Sequence, residues 1–392
     1  MKKIISIIII LVISTAIYAQ DGYETILNQI ETNSSTLNAF RKQIETNKLG
    51  NKTGIYLPNP EVEFNYLWGS PSSINNRTEF AIKQSFDFPT VYYYKSEISN
   101  LQNNNFELEF KAERVNILLR AKKICIELAY YNALAKDLEI RLKNAELIAQ
   151  LYQKKFEKGD ANAIEVNKTK IYLISIQNDL KKIDSEREIL SAELRQINGN
   201  KEIRNNHIIF AKPILPDNFE SWYSLVESQS VVLQYLKQQI EINERQVKLS
   251  KALTLPKFSL GYISERGEGN TLQGVSFGFT LPLWENKNIV KKAKSQVLTS
   301  FAQLTDSKQQ FYNKLRGLYN KAYKLQNSMD EYKNALISFN NDKLLKRALD
   351  AGEMSLLDYL IEIDYYYEAK LKALETERDF ELTISDLTAV LL

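Results

Sequence analysis

Few residues in this sequence could carry covalent chemistry. Gly274-Val275-Ser276-Phe277-Gly278 matches the G-x-S-x-G nucleophile elbow, whose serine must sit on a sharp strand-to-helix turn. Ser276 instead lies in an alternating run that continues to Leu283, and the only histidine, His207, precedes it, against the Ser, Asp, His order of that hydrolase fold. A single cysteine, Cys125, excludes a disulfide framework, and its helical surroundings suit a small buried apolar residue. One histidine, one cysteine and three methionines provide no metal-ligand cluster. The expectation is a protein with no catalytic residues, no bound metal and no cofactor. Function must then rest on surfaces and on the elements that build them.

The first nineteen residues read as a secretory signal peptide: a basic start at Lys2 and Lys3, an apolar run from Ile4 to Ile13 broken only by Ser6, and small residues before Gln20. Cleavage after Ala19 places Ile17 at minus three, so the site is open by a residue or so. No later segment reaches the roughly 18 apolar residues of a membrane helix. The exported chain therefore stays soluble outside the cytoplasm or enters a membrane as β-strands. Net charge is +3, or about +1 once Lys2 and Lys3 are removed, and nothing in it suggests nucleic acid.

Proline and glycine divide the chain. All eight prolines fall between Pro58 and Pro89 or between Pro213 and Pro282. The two proline-free stretches, Thr90 to Lys212 and Leu283 to Leu392, carry apolar residues at heptad spacing, as in Leu101, Leu108, Val115, then Leu119, Ile126, Ala133, Ile140 and Leu147. A helix from Val91 to Phe156 would be ~100 Å long at about 1.5 Å per residue.

Elsewhere the period is two. Val62, Phe64, Tyr66 and Trp68, then Phe80, Ile82, Phe86 and Phe88, alternate with smaller or polar residues, and so do Phe258, Leu260 and Tyr262, then Val275, Phe277, Phe279 and Leu281. These predict two hairpins, 61–88 and 257–283, joined by loops at Gly69 to Arg77 and Arg266 to Thr271. One aromatic face and one small face on strands of about 9 to 11 residues is the pattern of a membrane barrel, although a soluble sandwich edge shares it.

The chain is an internal duplication. Phe86-Asp87-Phe88-Pro89 aligns with Phe279-Thr280-Leu281-Pro282, and Leu151 to Glu165 aligns with Leu344 to Asp358, both at an offset of 193. After the signal peptide 1–19, repeat 1 spans 20–205 and repeat 2 spans 206–392. Each reads helix, hairpin, long helix, glycine turn near 159 or 352, helix. Four membrane strands cannot close a barrel, which needs about eight, so strands must be shared between copies. A dimer would supply eight strands with a filled interior, whereas a trimer supplies twelve and leaves a lumen.

The paired turn segments Tyr152-x3-Phe156-x2-Gly159-x5-Glu165 and Leu345-x3-Leu349-x2-Gly352-x2-Ser355-x2-Asp358, with the duplicated hairpins after Leu57-Pro58 and Leu255-Pro256, resemble the TolC-type outer-membrane efflux protein family over essentially the whole mature chain. Leu57-Pro58-Asn59-Pro60-Glu61-Val62-Glu63 resembles its heavy-metal efflux branch more than the drug or protein-export branches.

The resemblance implies an α+β membrane protein. Long antiparallel coiled-coil helices would form an α-barrel tunnel across the periplasm, and four strands per chain would enter a 12-stranded trimeric β-barrel in outer-membrane lipid. It also implies a homotrimer serving as the exit duct of a tripartite efflux or secretion system. The turn tips would meet a periplasmic adaptor (membrane fusion protein), and through it an inner-membrane pump. Carried onto this sequence, adaptor contacts fall on Lys158, Gly159, Asp160 and Ala161, and on Ala351, Gly352, Glu353, Met354 and Ser355. Asp358 and Glu165 match an acidic gate ring, and a second layer would fall on Ile361, with Glu362 and Asp364 nearby. Three carboxylates about 6 Å apart would repel by roughly 3 kcal/mol per pair at an effective dielectric of ~20. Asp358 could equally be a helix-start carboxylate favoured by the dipole.

Tyr92-Tyr93-Tyr94 fits either an interfacial aromatic belt or packing between helices, and Tyr365 to Tyr367 fit packing. A different class of protein, a secreted periplasmic or surface coiled-coil interaction protein without a pore, would not need the aromatic strands.

Overall fold

The computed structural model describes residues 23–71, 73–204, 207–338 and 342–392. The expected signal peptide lies outside them. Helices α1 (Glu24–Asn33) and α2 (Ser35–Gly50) precede strands β1 (Glu61–Leu67) and β2 (Arg77–Phe86), which lead into α3 (Pro89–Glu157) and α4 (Ala163–Ile197). The order then recurs: α5 (Phe219–Gln229), α6 (Val231–Ala252), β3 (Lys257–Gly267), β4 (Asn270–Thr280), α7 (Ile289–Ser338), α8 (Asp342–Ala351), α9 (Leu356–Leu387) and a 3₁₀ turn at Ala389–Leu391. Pro89 is the first residue of α3, where its missing N–H leaves no intrahelical bond unmade. The 69 residues of α3 make a helix about 100 Å long at 1.5 Å per residue.

The fold comprises two compact units. One contains residues up to Asn38, Glu113–Val226 and Tyr312–Leu392; the other contains Ala39–Ala112 and Glu227–Phe311.

In the first unit, Tyr23, Ile30, Leu118, Cys125, Ile126, Leu128 and Leu194 form a buried cluster that also takes in Ile208 from the segment between α4 and α5. Full burial of each large apolar side chain contributes roughly 1.5–3 kcal/mol. Glu381 of α9, only 2% exposed, accepts the Tyr23 hydroxyl at 2.9 Å and the Lys212 N–H at 2.8 Å. Burial pushes its carboxyl up, and the Lys212 and Tyr23 bonds oppose that rise. Nearer the glycine turns, Ala135, Leu138 and Ala145 of α3 pack on Ile176 and Ile183 of α4.

The second unit holds the sheet and a helical bundle. Val91 and Ile98 of α3 pack on Ile242, Leu249 and Ala252 of α6. Polar bonds cross-link the helices: Asn243 donates to Ser300 Oγ at 2.7 Å, Gln238 donates to the Leu101 carbonyl at 3.2 Å, and Ser99 donates to the Asn51 carbonyl at 2.8 Å.

Two local expectations change. The loop expected at Arg266 to Thr271 is a two-residue turn, because β3 runs to Gly267 and β4 starts at Asn270. Glu268 (φ 51°) and Gly269 (φ 81°) both adopt the left-handed backbone of a tight type I′ hairpin. The packed heptad in the lower half of α3 is Leu138, Ala145 and Tyr152, whereas Ile140 and Leu147 are more than half exposed. Ile126 of the Ile140 stripe is buried, so over this part of the helix there are two apolar stripes, and among the described residues only the one through Leu138, Ala145 and Tyr152 is covered.

Candidate membrane sheet and docking tips

The four strands form one antiparallel sheet in the order β1-β2-β3-β4, with β1 and β4 at the edges. Its register puts the aromatic face together. Val62 pairs with Ile82, Ile82 with Tyr262 and Tyr262 with Val275; Phe86 pairs with Phe258 and Phe258 with Phe279; Leu260 pairs with Phe277. Directly opposed residues share a face, so this is one largely apolar surface, interrupted by Gln84 beside Leu260 and by Ser264 and Gln273 beside Phe80, with Phe277 66% and Val275 83% exposed. The reverse face is small and polar: Lys83, Gly261 and Ser276 align, as do Ser85, Ser259 and Gly278. A Cβ at Gly278 would lie 2.7 Å from Ser259 Oγ, so a larger residue there would have to turn that hydroxyl aside. Ser276 is thus a mid-strand residue, not the apex of an elbow.

The two tip turns are built alike. After α3, Gly159 (φ 81°) reverses the chain and the Asp160 N–H reaches back to the Lys155 carbonyl at 2.8 Å. After α8, Gly352 (φ 77°) does the same and the Glu353 N–H reaches the Ala348 carbonyl at 2.9 Å. Both are Schellman closures of a helix end. Ile148 and Tyr152 of α3, Leu349 of α8 and Leu356 and Tyr359 of α9 form one buried cluster, with Ala161 and Met354 packed on its margin. The structure therefore brings both sets of tip residues into one unit. Lys158, Gly159, Asp160, Ala351, Gly352, Glu353 and Ser355 stay exposed, while Ala161 and Met354 are half-buried.

The two gate candidates differ. Glu165 is the third residue of α4, and its Oε2 accepts the Asn162 N–H at 2.9 Å while Asn162 Oδ1 accepts the Glu165 N–H at 3.0 Å. This capping box commits the carboxylate to its own helix start. At the other tip Ser355 Oγ accepts the Asp358 N–H at 3.1 Å and donates to Asp358 Oδ2 at 2.6 Å, so serine performs the capping and the Asp358 carboxylate remains exposed. Ile361, 45% exposed, follows one turn later.

Behind the tips lies a charged cluster absent from the sequence-based expectations. Asp137, 8% exposed, accepts Arg141 Nε at 2.6 Å and ion-pairs with Lys370 of α9. The Arg141 guanidinium stacks 3.8 Å over the Tyr367 ring. The i,i+4 spacing of Asp137 and Arg141 was a readable signal; Lys370 had none. Tyr367 is buried, as packing requires, but Tyr365 is 65% exposed. In the other unit Tyr94 packs on the α3–α6 cluster and the Tyr92 hydroxyl accepts the Asp87 N–H at 3.0 Å, whereas Tyr93 is 59% exposed.

No family model matches the chain. No curated protein matches it either. Solved structures do. The outer membrane channel CmeC of Campylobacter jejuni is 15% identical with a TM-score of 0.76, over 95% of this chain and 85% of that one. CusC, solved in states accompanying folding and transmembrane channel formation, is 13% identical with a TM-score of 0.79, over 94% and 91%. The open state of the Neisseria gonorrhoeae MtrE outer membrane channel is 14% identical with a TM-score of 0.72, over 95% and 89%. The chain has the fold of these outer-membrane channels.

Proposed function

We propose that the chain is one subunit of a trimeric TolC-type outer-membrane duct of an efflux or secretion system, a passive conduit with no chemistry of its own. The observation that carries the proposal is the sheet: four strands in register expose one largely apolar, aromatic-rich face and end in two edges. Lipid tolerates neither an open edge nor an unpaired backbone group, so three sheets closing edge to edge give twelve strands and a lumen. The helices support the same reading. Ile140 and Leu147 of α3, Ile164 and Ile171 of α4, and Leu357 and Tyr365 of α9 are all about half exposed or more, and such apolar stripes call for neighbouring copies.

In this assembly the exposed tip residues around Gly159 and Gly352 receive the periplasmic adaptor and, through it, an inner-membrane pump. Asp358 is the better gate carboxylate, because it is exposed and bonded only to the Ser355 hydroxyl, whereas Glu165 is half-buried and bonded to the Asn162 backbone. A soluble coiled-coil protein has no use for the aromatic sheet. The test is the oligomer: detergent extraction of the membrane fraction should release a particle of three copies. A monomer recovered from the soluble periplasm would overturn the proposal.

A further inference from the structure

The two hairpins return to their helices by different routes. In the first half Pro89 follows Phe88 directly and α3 begins. In the second half β4 ends at Thr280 and α7 begins only at Ile289, so an eight-residue corner intervenes. It is a structured corner: the Lys287 N–H bonds to the Trp284 carbonyl at 3.1 Å, the Ile289 N–H bonds to the Asn286 carbonyl at 3.2 Å, Asn288 adopts φ 66°, and Asn286 Nδ2 donates to the Leu253 carbonyl at 2.5 Å. These bonds present Leu283 at 67% and Trp284 at 81% exposure.

Immediately beyond come Lys287, Lys291, Lys292 and Lys294, all exposed, and none ion-pairs with a described residue. The one acid between Thr280 and Ser300 is Glu285, which lies 3.8 Å from Lys257. The corresponding corner of the first half has a single lysine, Lys95, 3.7 Å from Asp87, with Glu97 beside it. The duplication has therefore diverged to place unpaired positive charge next to an exposed indole at only one corner.

Indole rings settle at the headgroup level of a bilayer, and lysines just beyond a membrane-spanning segment are drawn to anionic lipid. We propose that this corner is a binding surface for anionic phospholipid headgroups in the leaflet next to the helices. Leu283 and Trp284 enter the interfacial layer and the four lysines meet the phosphates. The proposal rests on the membrane reading of the sheet given above.

The test uses full-length protein reconstituted in phosphatidylcholine vesicles containing phosphatidylglycerol, with either lipid brominated as a quencher of tryptophan fluorescence. W68F/W222F leaves Trp284 as the reporter, and W222F/W284F leaves Trp68 of the first hairpin as the control. Brominated phosphatidylglycerol should quench Trp284 at least about fivefold more effectively per mole than brominated phosphatidylcholine, the factor expected of a single lysine near an anionic surface. That preference should fall towards unity at high salt and in K287Q/K291Q/K292Q/K294Q, while Trp68 is quenched by both lipids alike. Equal quenching of Trp284 by the two lipids overturns the headgroup proposal. So does an unquenched Trp284 beside a quenched Trp68, which would assign the corner to a neighbouring copy or to the lumen. An unquenched Trp68 overturns the membrane reading itself.

Discussion

Among the described residues three helices end with the same turn, and their surroundings differ. At Gly199, as at Gly159 and Gly352, the backbone turns left-handed (φ 64°) and a 6→1 bond closes the helix, from the Asn200 N–H to the Arg195 carbonyl at 2.9 Å. A Cβ built at Gly199 would lie 2.2 Å from the Asn33 carbonyl oxygen. The two tip glycines have no such neighbour within 4 Å. Around Gly199 the contacts are completed by Asn33 Nδ2 donating to Asn198 Oδ1 at 3.2 Å and Lys201 Nζ donating to Asn33 Oδ1 at 2.6 Å. The same backbone device is therefore enclosed at one site and open at two. An enclosed turn stabilises the fold, whereas an open turn leaves its surface free, as the proposed docking role requires.

Substitutions at these turns should separate the two roles. Gly199→Ala carries the left-handed penalty of about 1–2 kcal/mol and must also push back the Asn33 backbone, a further cost of about 1–3 kcal/mol. Its unfolding midpoint in detergent should fall the furthest. Gly159→Ala and Gly352→Ala carry only the first cost, about 1–2 kcal/mol. They should still assemble as trimers, and a bulky residue at Gly352 should abolish export while assembly persists; loss of assembly would make this turn structural as well. Ser355→Ala removes the cap of α9 and should cost about 1 kcal/mol in the same melt. Asp358→Ala should change stability by under about 1 kcal/mol yet raise resting conductance or weaken block by multivalent cations. Glu165→Gln keeps an acceptor for the Asn162 N–H and should leave both stability and conductance nearly unchanged. A conductance change at Glu165 as large as that at Asp358 would erase the distinction between the tips.

Much of this architecture is legible in the sequence because the period switches from two to seven at Pro89 and Pro282. What is not legible has specific causes. Glu268 hides a tight turn, since a left-handed non-glycine residue gives no compositional warning. Ile140 and Leu147 follow as regular a heptad as Leu138, Ala145 and Tyr152, and periodicity alone cannot say which stripe one chain covers by itself. Asn162-x2-Glu165 is a capping-box pattern in its own right, so the committed state of that carboxylate could have been read directly. The Asp137 cluster could not, because Lys370 is 233 residues away and joins only through the packing of α9 on α3.

The central claim is that three such sheets enclose a pore. Purified protein reconstituted in a planar bilayer should give discrete single-channel steps, sensitive to multivalent cations added on the tip side and less so in Asp358→Ala. Protein that inserts but gives no conductance, with the tips intact or altered, would contradict the account.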